Sequence, residues 1–410
     1  MGLWDDDEDD FEEYIEVENP YLAKPEKGLE LIASLLEVNK GAMHHMRKMK
    51  KIDTLIDKRL LQSISQVNLN NELQLYQQLV QLSDKLLEHN KMKLLEKKMV
   101  IGIGGKFSAG KSKFINSLLQ SDFLPEDQSP TTSIATYLVQ GEKETVNAYT
   151  KYDRKVPITM EAANALTHAF YDKYNLGFSQ FINNLVMTIP SFKYKHIALL
   201  DTPGYSKSDS NIQQNVSDEH KAYTQLRSVD RLIWLVDIEN GIIQQDDIEF
   251  IESLNVAKPV LIVFNKADKK NRENIEMVIE QSKEFLRTTN IPVFGVAAYS
   301  ALEKQEYCGA TYLAQFMDEI EHMKQENDSV LDQIEKVIQA LKNDLKKKQQ
   351  TLVNERNKIN EVIFNAIDIL EIKTLTELYA KILGDIKECH YATKSLDKTY
   401  KTIRDSLQQI

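Results

Sequence analysis

Met99-Val100-Ile101-Gly102-Ile103-Gly104-Gly105-Lys106-Phe107-Ser108-Ala109-Gly110-Lys111-Ser112-Lys113-Phe114-Ile115-Asn116-Ser117-Leu118-Leu119 is the stretch that decides the fold. Its middle, Gly105 to Ser112, is a complete G-x-x-x-x-G-K-S loop, preceded by a short apolar run and followed by a helical pattern. Strand, glycine-rich loop and helix in that order give a cradle of backbone N–H groups at a helix N-terminus, where partial positive charge favours phosphate. Lys111 is then placed to reach the β- and γ-phosphates, and the Ser112 hydroxyl to ligate Mg²⁺. The remaining loop residues, Lys106, Phe107, Ser108 and Ala109, with Lys113 just beyond, complete the expected phosphate contact. The pattern implies a bound nucleotide.

Three further stretches discriminate the base. Asp201-Thr202-Pro203-Gly204 ends the apolar run Ile197-Ala198-Leu199-Leu200. Asp201 is expected to hold Mg²⁺ through water, and the Gly204 N–H to donate to the γ-phosphate. Asn265-Lys266-Ala267-Asp268 follows Val260-Leu261-Ile262-Val263-Phe264. A carboxylate at Asp268 accepts from N1–H and the exocyclic amine of guanine, a donor pair adenine lacks. The stem of Lys266 would lie along the base, and Asn265 would tie this loop to the phosphate loop. Ser300-Ala301, after Val293-Phe294-Gly295-Val296, offers a backbone N–H to guanine O6. Each motif falls at the carboxyl end of a strand, where open α/β sheets bind ligands, so the expected ligands are GTP and GDP.

Between the first two motifs a segment must sense the γ-phosphate. Leu124-Pro125-Glu126-Asp127-Gln128-Ser129-Pro130-Thr131-Thr132 is the candidate. A threonine here would offer its hydroxyl to Mg²⁺ and its N–H to phosphate. The alternative is that Thr131 and Thr132 merely begin the strand Ile134–Val139.

Together, the phosphate loop with Phe114-Ile115-Asn116-Ser117-Leu118-Leu119, then Phe123-Leu124-Pro125, Pro130-Thr131-Thr132, Asp201-Thr202-Pro203-Gly204 and Asn265-Lys266-Ala267-Asp268, resemble the dynamin superfamily of large GTPases, most of all its bacterial members. The resemblance spans about residues 98–305. It implies GTP hydrolysis to GDP and phosphate, with Lys111, Ser108 and Thr132 as catalytic residues and Ser112, Thr132 and Asp201 around Mg²⁺. It selects Thr132 over Thr131 and gives Ser108 a part in positioning a K⁺ or Na⁺ ion. It also implies self-association through GTPase domains, movement of a helical neck, and membrane remodelling with a partner dynamin-like subunit. Two positions depart from related patterns. Eukaryotic dynamins carry glutamine where Phe107 stands, and Ras-type GTPases carry it where Tyr205 stands. No side chain is therefore marked for orienting the attacking water, and no arginine near the loop marks a finger, which favours a monovalent cation for charge compensation.

Composition narrows the setting. In 410 residues there is room for two or three domains. Two cysteines, Cys308 and Cys389, form no disulfide framework or metal pattern, which with the acidic N-terminus predicts a cytoplasmic protein without a signal peptide, peripheral at most on the inner face of the cell membrane. No apolar run approaches the ~20 residues of a spanning helix. Asp5, Asp6, Asp7, Glu8, Asp9, Asp10, Glu12, Glu13 and Glu16 supply nine of the eleven net negative charges. The remainder is close to neutral, so no nucleic-acid surface is expected.

The expected organisation has four parts. Residues 1–25 form an acidic tail, either solvated or docking through Trp4, Phe11 and Tyr14. Residues 26–97 are helical, with stripes Leu29, Leu31, Ile32, Leu35, Leu36 and Leu73, Leu75, Leu79, Leu82, Leu86. Between the stripes, His44 to Lys51 is a basic segment, read as a solvated helix end or a contact to anionic lipid. Residues 98–305 form an α/β P-loop GTPase domain, a mostly parallel sheet covered by helices on both faces, with an inserted helix over Met160–Asn175. Residues 306–410 pack with the N-terminal helices as an α-helical neck or stalk bundle. There a heptad seam runs Leu331, Ile338, Leu345, Leu352, Ile359 and Ala366 with Ile334, Leu341, Val362 and Ile369, interrupted by Lys348 and Glu355. No apolar paddle is evident. A different class of function also fits: a slow GTP-dependent switch that binds a protein or ribosomal partner.

Overall fold

The computed structural model describes residues 20–37, 54–65, 67–69, 71–124, 134–152, 154–165, 181–204, 212–256, 258–308, 311–323 and 330–408. The acidic tail through residue 19, His44–Lys51, Thr131, Thr132, Tyr205 and the later part of the Met160–Asn175 insertion lie outside them.

Ten strands form one sheet: β1 Met99–Gly105, β2 Ala135–Gln140, β3 Thr145–Thr150, β4 Lys155–Ile158, β5 Ile182–Ile189, β6 Ile197–Asp201, β7 Arg231–Asp237, β8 Val260–Asn265, β9 Val293–Ser300 and β10 Gln305–Glu306. Their order is β10-β9-β8-β7-β1-β6-β2-β5-β3-β4. The β9-β8-β7-β1-β6 block is wholly parallel, and β2 crosses to antiparallel pairing with β6. β7 and β8 are buried at every residue, as strands covered on both faces must be. Sequence periodicity missed β4 and β10. Pro157 weakens the strand signal of β4, but it is tolerated because β4 is an edge strand.

The α-helices of five or more residues are α1 Pro25–Leu36, α2 Leu61–Ser65, α3 Glu72–Lys91, α4 Lys111–Leu119, α5 Met160–Ala165, α6 Ile212–Leu226, α7 Gln245–Ser253, α8 Arg272–Leu286, α9 Tyr312–His322, α10 Val330–Asn365 and α11 Ile369–Gln408, and those outside α2, α3, α10 and α11 cover the two faces of the sheet. Alternating strand residues feed separate cores. Ile101, Ile103, Leu199, Leu261 and Val263 pack with Phe114 of α4 and Phe316 of α9. Leu232, Trp234, Ile262 and Phe264 pack with Ile275 of α8 on the other face.

A third core belongs to the helices alone. Leu79 and Leu86 of α3 pack with Ile334, Ile338, Leu341, Leu345 and Leu352 of α10 and with Ile382, Ala392, Leu396 and Ile403 of α11. The N-terminal stripe behaves differently from the bundle expected for residues 26–97. Leu31, Ile32 and Leu35 of α1 bury in the sheet's own core, and Arg154 pins the helix end by donating to Ser34 O and Glu37 O, both at 3.1 Å.

The heptad seam stops earlier than its spacing predicts. Asp368 accepts from Leu370 N at 2.7 Å and Glu371 N at 3.1 Å, capping a new helix and folding the chain back after Asn365. Ala366 and Ile369 therefore lie at a hairpin turn rather than along one seam. The hairpin reaches far, since 36 residues of α10 extend ~54 Å at 1.5 Å each. Lys348, an interruption on paper, donates its ammonium to Val67 O and, at 2.9 Å, Asn68 O, closing the chain where the α2 segment ends. At the turn, Phe364, Ile367, Ile369 and Leu370 are exposed by 73–95 %. The chain thus carries an exposed apolar tip that its sequence did not reveal. Among the described residues no helix is long and apolar enough to cross a membrane.

Candidate nucleotide site at the strand carboxyl ends

β1 ends in backbone that only glycine suits. Gly105 has φ +141° with Leu235 O only 2.4 Å from where a Cβ would stand, and Gly110 has φ +77°. Between them Phe107–Ala109 makes one tight turn, and α4 begins at Lys111. Phe107 and Ser108 are exposed on this turn, Ala109 is buried, and Lys113 faces solvent from the first turn of α4.

Lys111 is buried, and its ammonium donates to Gly105 O at 3.1 Å and Lys106 O at 3.2 Å. Burial lowers its pKa to about 8, against the pull of the nearby Asp201 carboxylate. The last residue of β6, Asp201, is buried too. Burial raises its pKa to about 6, opposed by the Lys111 charge and by hydrogen bonds from Ser112 and the Thr202 N–H. Ser112 Oγ lies 3.4 Å from Asp201 Oδ2, while Asp201 Oδ1 is buried with no hydrogen-bond partner. An orphaned carboxylate oxygen beside a hydroxyl is a donor set for a hard divalent cation that takes its remaining ligands from phosphate and water. The described residues hold no cluster of three or more His, Cys, Asp or Glu. These two residues thus fit Mg²⁺ held chiefly by its nucleotide.

Thr202 fixes the next loop by donating to Ile103 O at 2.9 Å. Gly204 then comes so close to the phosphate loop that an added Cβ would meet Phe107 Cα at 2.6 Å and Lys111 Nζ at 3.0 Å.

The loop after β8 is tied in from both sides. Asn265 Nδ2 donates to Ala109 O at 2.9 Å and Gly110 O at 3.4 Å, and Asn265 Oδ1 accepts from Ala301 N at 3.2 Å. One amide thus bridges the phosphate loop and the loop after β9. Asp268 Oδ1 accepts from the buried Ser300 hydroxyl at 2.6 Å, and that hydroxyl accepts from Glu303 N at 3.0 Å. Lys266, at φ +63°, pairs with Asp237 Oδ2 at 2.6 Å. Asp237 went unnoticed in the sequence, although a carboxylate ending the apolar run of β7 was the available signal.

The four motifs therefore meet at one edge of the sheet, with Thr132 outside the described residues. Residues 101–268 match the sequence pattern described as the Dynamin family. Over those residues the chain is similar to the dynamin family. Dynamin-like protein 1 of Campylobacter jejuni is 28 % identical over 245 residues, covering 50 % of this chain and 33 % of that protein. Dynamin-like protein 2 of the same organism is 25 % identical over 215 residues, covering 52 % of this chain and 33 % of that one. The matched region thus spans about a third of the length of these dynamin-like relatives. A solved structure described as an oligomerised bacterial dynamin pair, for long-range sensing and tethering of membranes, aligns with TM-score 0.41 at 19 % identity, covering 67 % of this chain and 41 % of that one. The sheet carries the nucleotide motifs at its strand ends and is joined to a bundle formed by helices from both sides of it in sequence.

Proposed function

We propose that the chain hydrolyses GTP to GDP and phosphate, and that pairing of two GTPase domains across the nucleotide face drives movement of the helical neck. The observation that carries the reading is the Asn265 bridge. It joins the phosphate loop to a base loop whose Asp268 carboxylate has the acceptor chemistry for guanine. Lys111 and the loop N–H groups neutralise charge as water attacks the γ-phosphorus in line and the bond to the β–γ bridging oxygen breaks. Mg²⁺, held through Ser112 and Asp201 with Thr132 added in the triphosphate state, supplies further neutralisation. Ser108 helps position a K⁺ or Na⁺ ion, and Ser300-Ala301 meets guanine O6.

Phe107, Ile242 and Leu302 support the pairing reading. All three are exposed large apolar residues on connections leaving the carboxyl ends of β1, β7 and β9. With Phe107 in place of a polar group, the lone domain turns over slowly, and a second domain accelerates it by fixing the switch segments.

In this reading residues 98–305 are the motor, and α2, α3, α10 and α11 are the neck. The exposed hairpin tip, rather than the basic segment near His44, makes peripheral contact with membrane, alone or beside a partner dynamin-like subunit. Turnover measured against protein concentration, in K⁺ and in Na⁺ buffer with Lys111→Ala as control, tests this. Specific activity that rises with concentration supports a pairing motor. Flat, slow turnover favours the regulatory switch that binds a partner in its GTP form.

A further inference from the structure

None of the nucleotide motifs includes α7, yet the start of this helix holds a side chain of the phosphate loop. The Lys106 ammonium donates to Gln244 Oε1 and lies 3.6 Å from Asp247 Oδ2. Asp247 is buried and is itself held. Its Oδ1 accepts from the Trp234 indole Nε1 at 3.2 Å, and its Oδ2 accepts from Gln244 N at 3.4 Å. A buried carboxylate is costly unless paired, so Asp247 and the Lys106 ammonium hold each other in place.

The platform under Asp247 is rigid. The rings of Trp234 and Phe250 pack with centroids 5.4 Å apart, and Ile248, Phe250 and Ile251 of α7 share one apolar core with Trp234. Trp234 also lies against the end of β1, since a Cβ added at Gly104 would meet its ring at 2.6 Å. In a close-packed core, neither Trp234 nor the start of α7 shifts without displacing its neighbours.

The backbone of Lys106 carries the consequence to the site. Its carbonyl accepts from the Lys111 ammonium at 3.2 Å and from Ala109 N at 3.1 Å, placing Lys111 relative to the turn Phe107–Ala109. Gly105 and Gly110 flank that segment at φ +141° and +77°, so the loop's shape needs restraint from outside its own chain. The Lys106 side chain is thereby committed to α7, although the sequence pattern counts Lys106 among the residues that meet phosphate.

We propose that Asp247 is a positioning residue for the phosphate loop, acting through Lys106 to fix the carbonyl that holds Lys111. The inference rests on the GTP-hydrolysis reading and adds to it a residue outside every nucleotide motif.

Single-turnover GTP hydrolysis and titration of a fluorescent GDP analogue test it, on the full chain at one protein concentration. Asp247→Asn releases Lys106 and removes one negative charge near the loop, which would tighten nucleotide binding if Lys106 served phosphate directly. With Asp247 as a positioning residue, Asp247→Asn should instead slow hydrolysis about tenfold, because a small misplacement of a catalytic group is costly. Lys106→Met, at a partly exposed side chain, should slow it as much, and the double variant should be no slower than either single one. Lys106→Arg, whose guanidinium can bond both acceptors, should lose no more than about threefold. GDP affinity should change less than about threefold in every variant, because the loop N–H groups still meet the diphosphate. If Asp247→Asn tightens binding or hydrolyses GTP as the unaltered chain does, the inference is wrong and the GTP reading survives. Additive losses in the double variant also overturn it. If Asp247→Asn fails to fold, Lys106→Met and Lys106→Arg decide, and equal rates in those two overturn it. If the unaltered chain neither binds GDP nor hydrolyses GTP, both readings fall.

Discussion

The buried Ser300 hydroxyl stands 2.6 Å from Asp268 Oδ1 and aims the carboxylate that would recognise guanine. The two residues are on different loops, so the orientation of Asp268 is set by the end of β9 rather than by its own motif. The same hydroxyl also accepts from Glu303 N, closing the loop that carries Ala301.

Ser300→Ala should therefore weaken guanine-nucleotide binding about tenfold, the effect of losing one buried hydrogen bond worth ~1.4 kcal/mol. Selectivity for GDP over ADP should fall in proportion. Titration of fluorescent GDP and ADP analogues against the variant measures both.

Gly204→Ala places a methyl group against Phe107 Cα and the Lys111 ammonium. The loop must then withdraw from the phosphate loop, removing the Gly204 N–H from γ-phosphate reach. GDP affinity should change little, whereas GTP should lose its advantage and turnover should drop by about two orders of magnitude, as for loss of a charge-stabilising donor. Parallel GDP and GTP-analogue titrations with single-turnover hydrolysis separate the two effects.

The two buried charges set a pH window. The raised pKa of Asp201 means that below about 6 it is protonated and cannot serve a cation. The lowered pKa of Lys111 means that above about 8 the free site loses its ammonium. kcat/KM should accordingly rise through pH 6 and fall beyond pH 8, since it reports the free enzyme. Bound triphosphate raises the Lys111 pKa, so the alkaline limb of kcat should lie higher. Steady-state profiles in constant ionic strength check both limbs.

Phe364→Glu with Ile367→Glu alters side chains exposed by 90 % and 95 % at the hairpin turn. Thermal stability should move within ~0.5 kcal/mol, as for other surface changes. Co-flotation with liposomes should be lost while GTP turnover without lipid stays the same. Retained flotation would remove the tip from membrane contact.

Lys348→Ala leaves Val67 O and Asn68 O without their donor. Bundle stability should fall by about 1.5–3 kcal/mol, the range for a hydrogen bond involving a charged group, read as a lower urea midpoint for the helical signal. Glu355→Ala, an exposed neighbour on α10, should have little effect by comparison.

The nucleotide motifs and the parallel core of the sheet were legible in the sequence because both depend on short-range rules. A tight glycine turn, an apolar strand and a polar loop at its end are written within a few consecutive residues. The seat of α1 was not legible, since the stripe Leu31, Ile32, Leu35 has the period of any amphipathic helix. Nor was the fold-back at Asp368, whose capping of α11 competes with a heptad pattern that runs straight through it.

By itself, then, the sequence determined which motifs stand at the strand ends, which side chains there have the chemistry to hold phosphate or accept from guanine, and that helices flank the domain. Only the tertiary structure decided which core each helix joins, that Lys348 closes a chain segment some 280 residues earlier in sequence, that Asp247 of α7 holds the Lys106 side chain, and that four apolar side chains stand exposed at a distant turn. The reason is physical. Hydrophobic burial is non-directional, so a stripe announces that a face will be covered without naming its cover, whereas hydrogen-bonding motifs carry their geometry in the local chain.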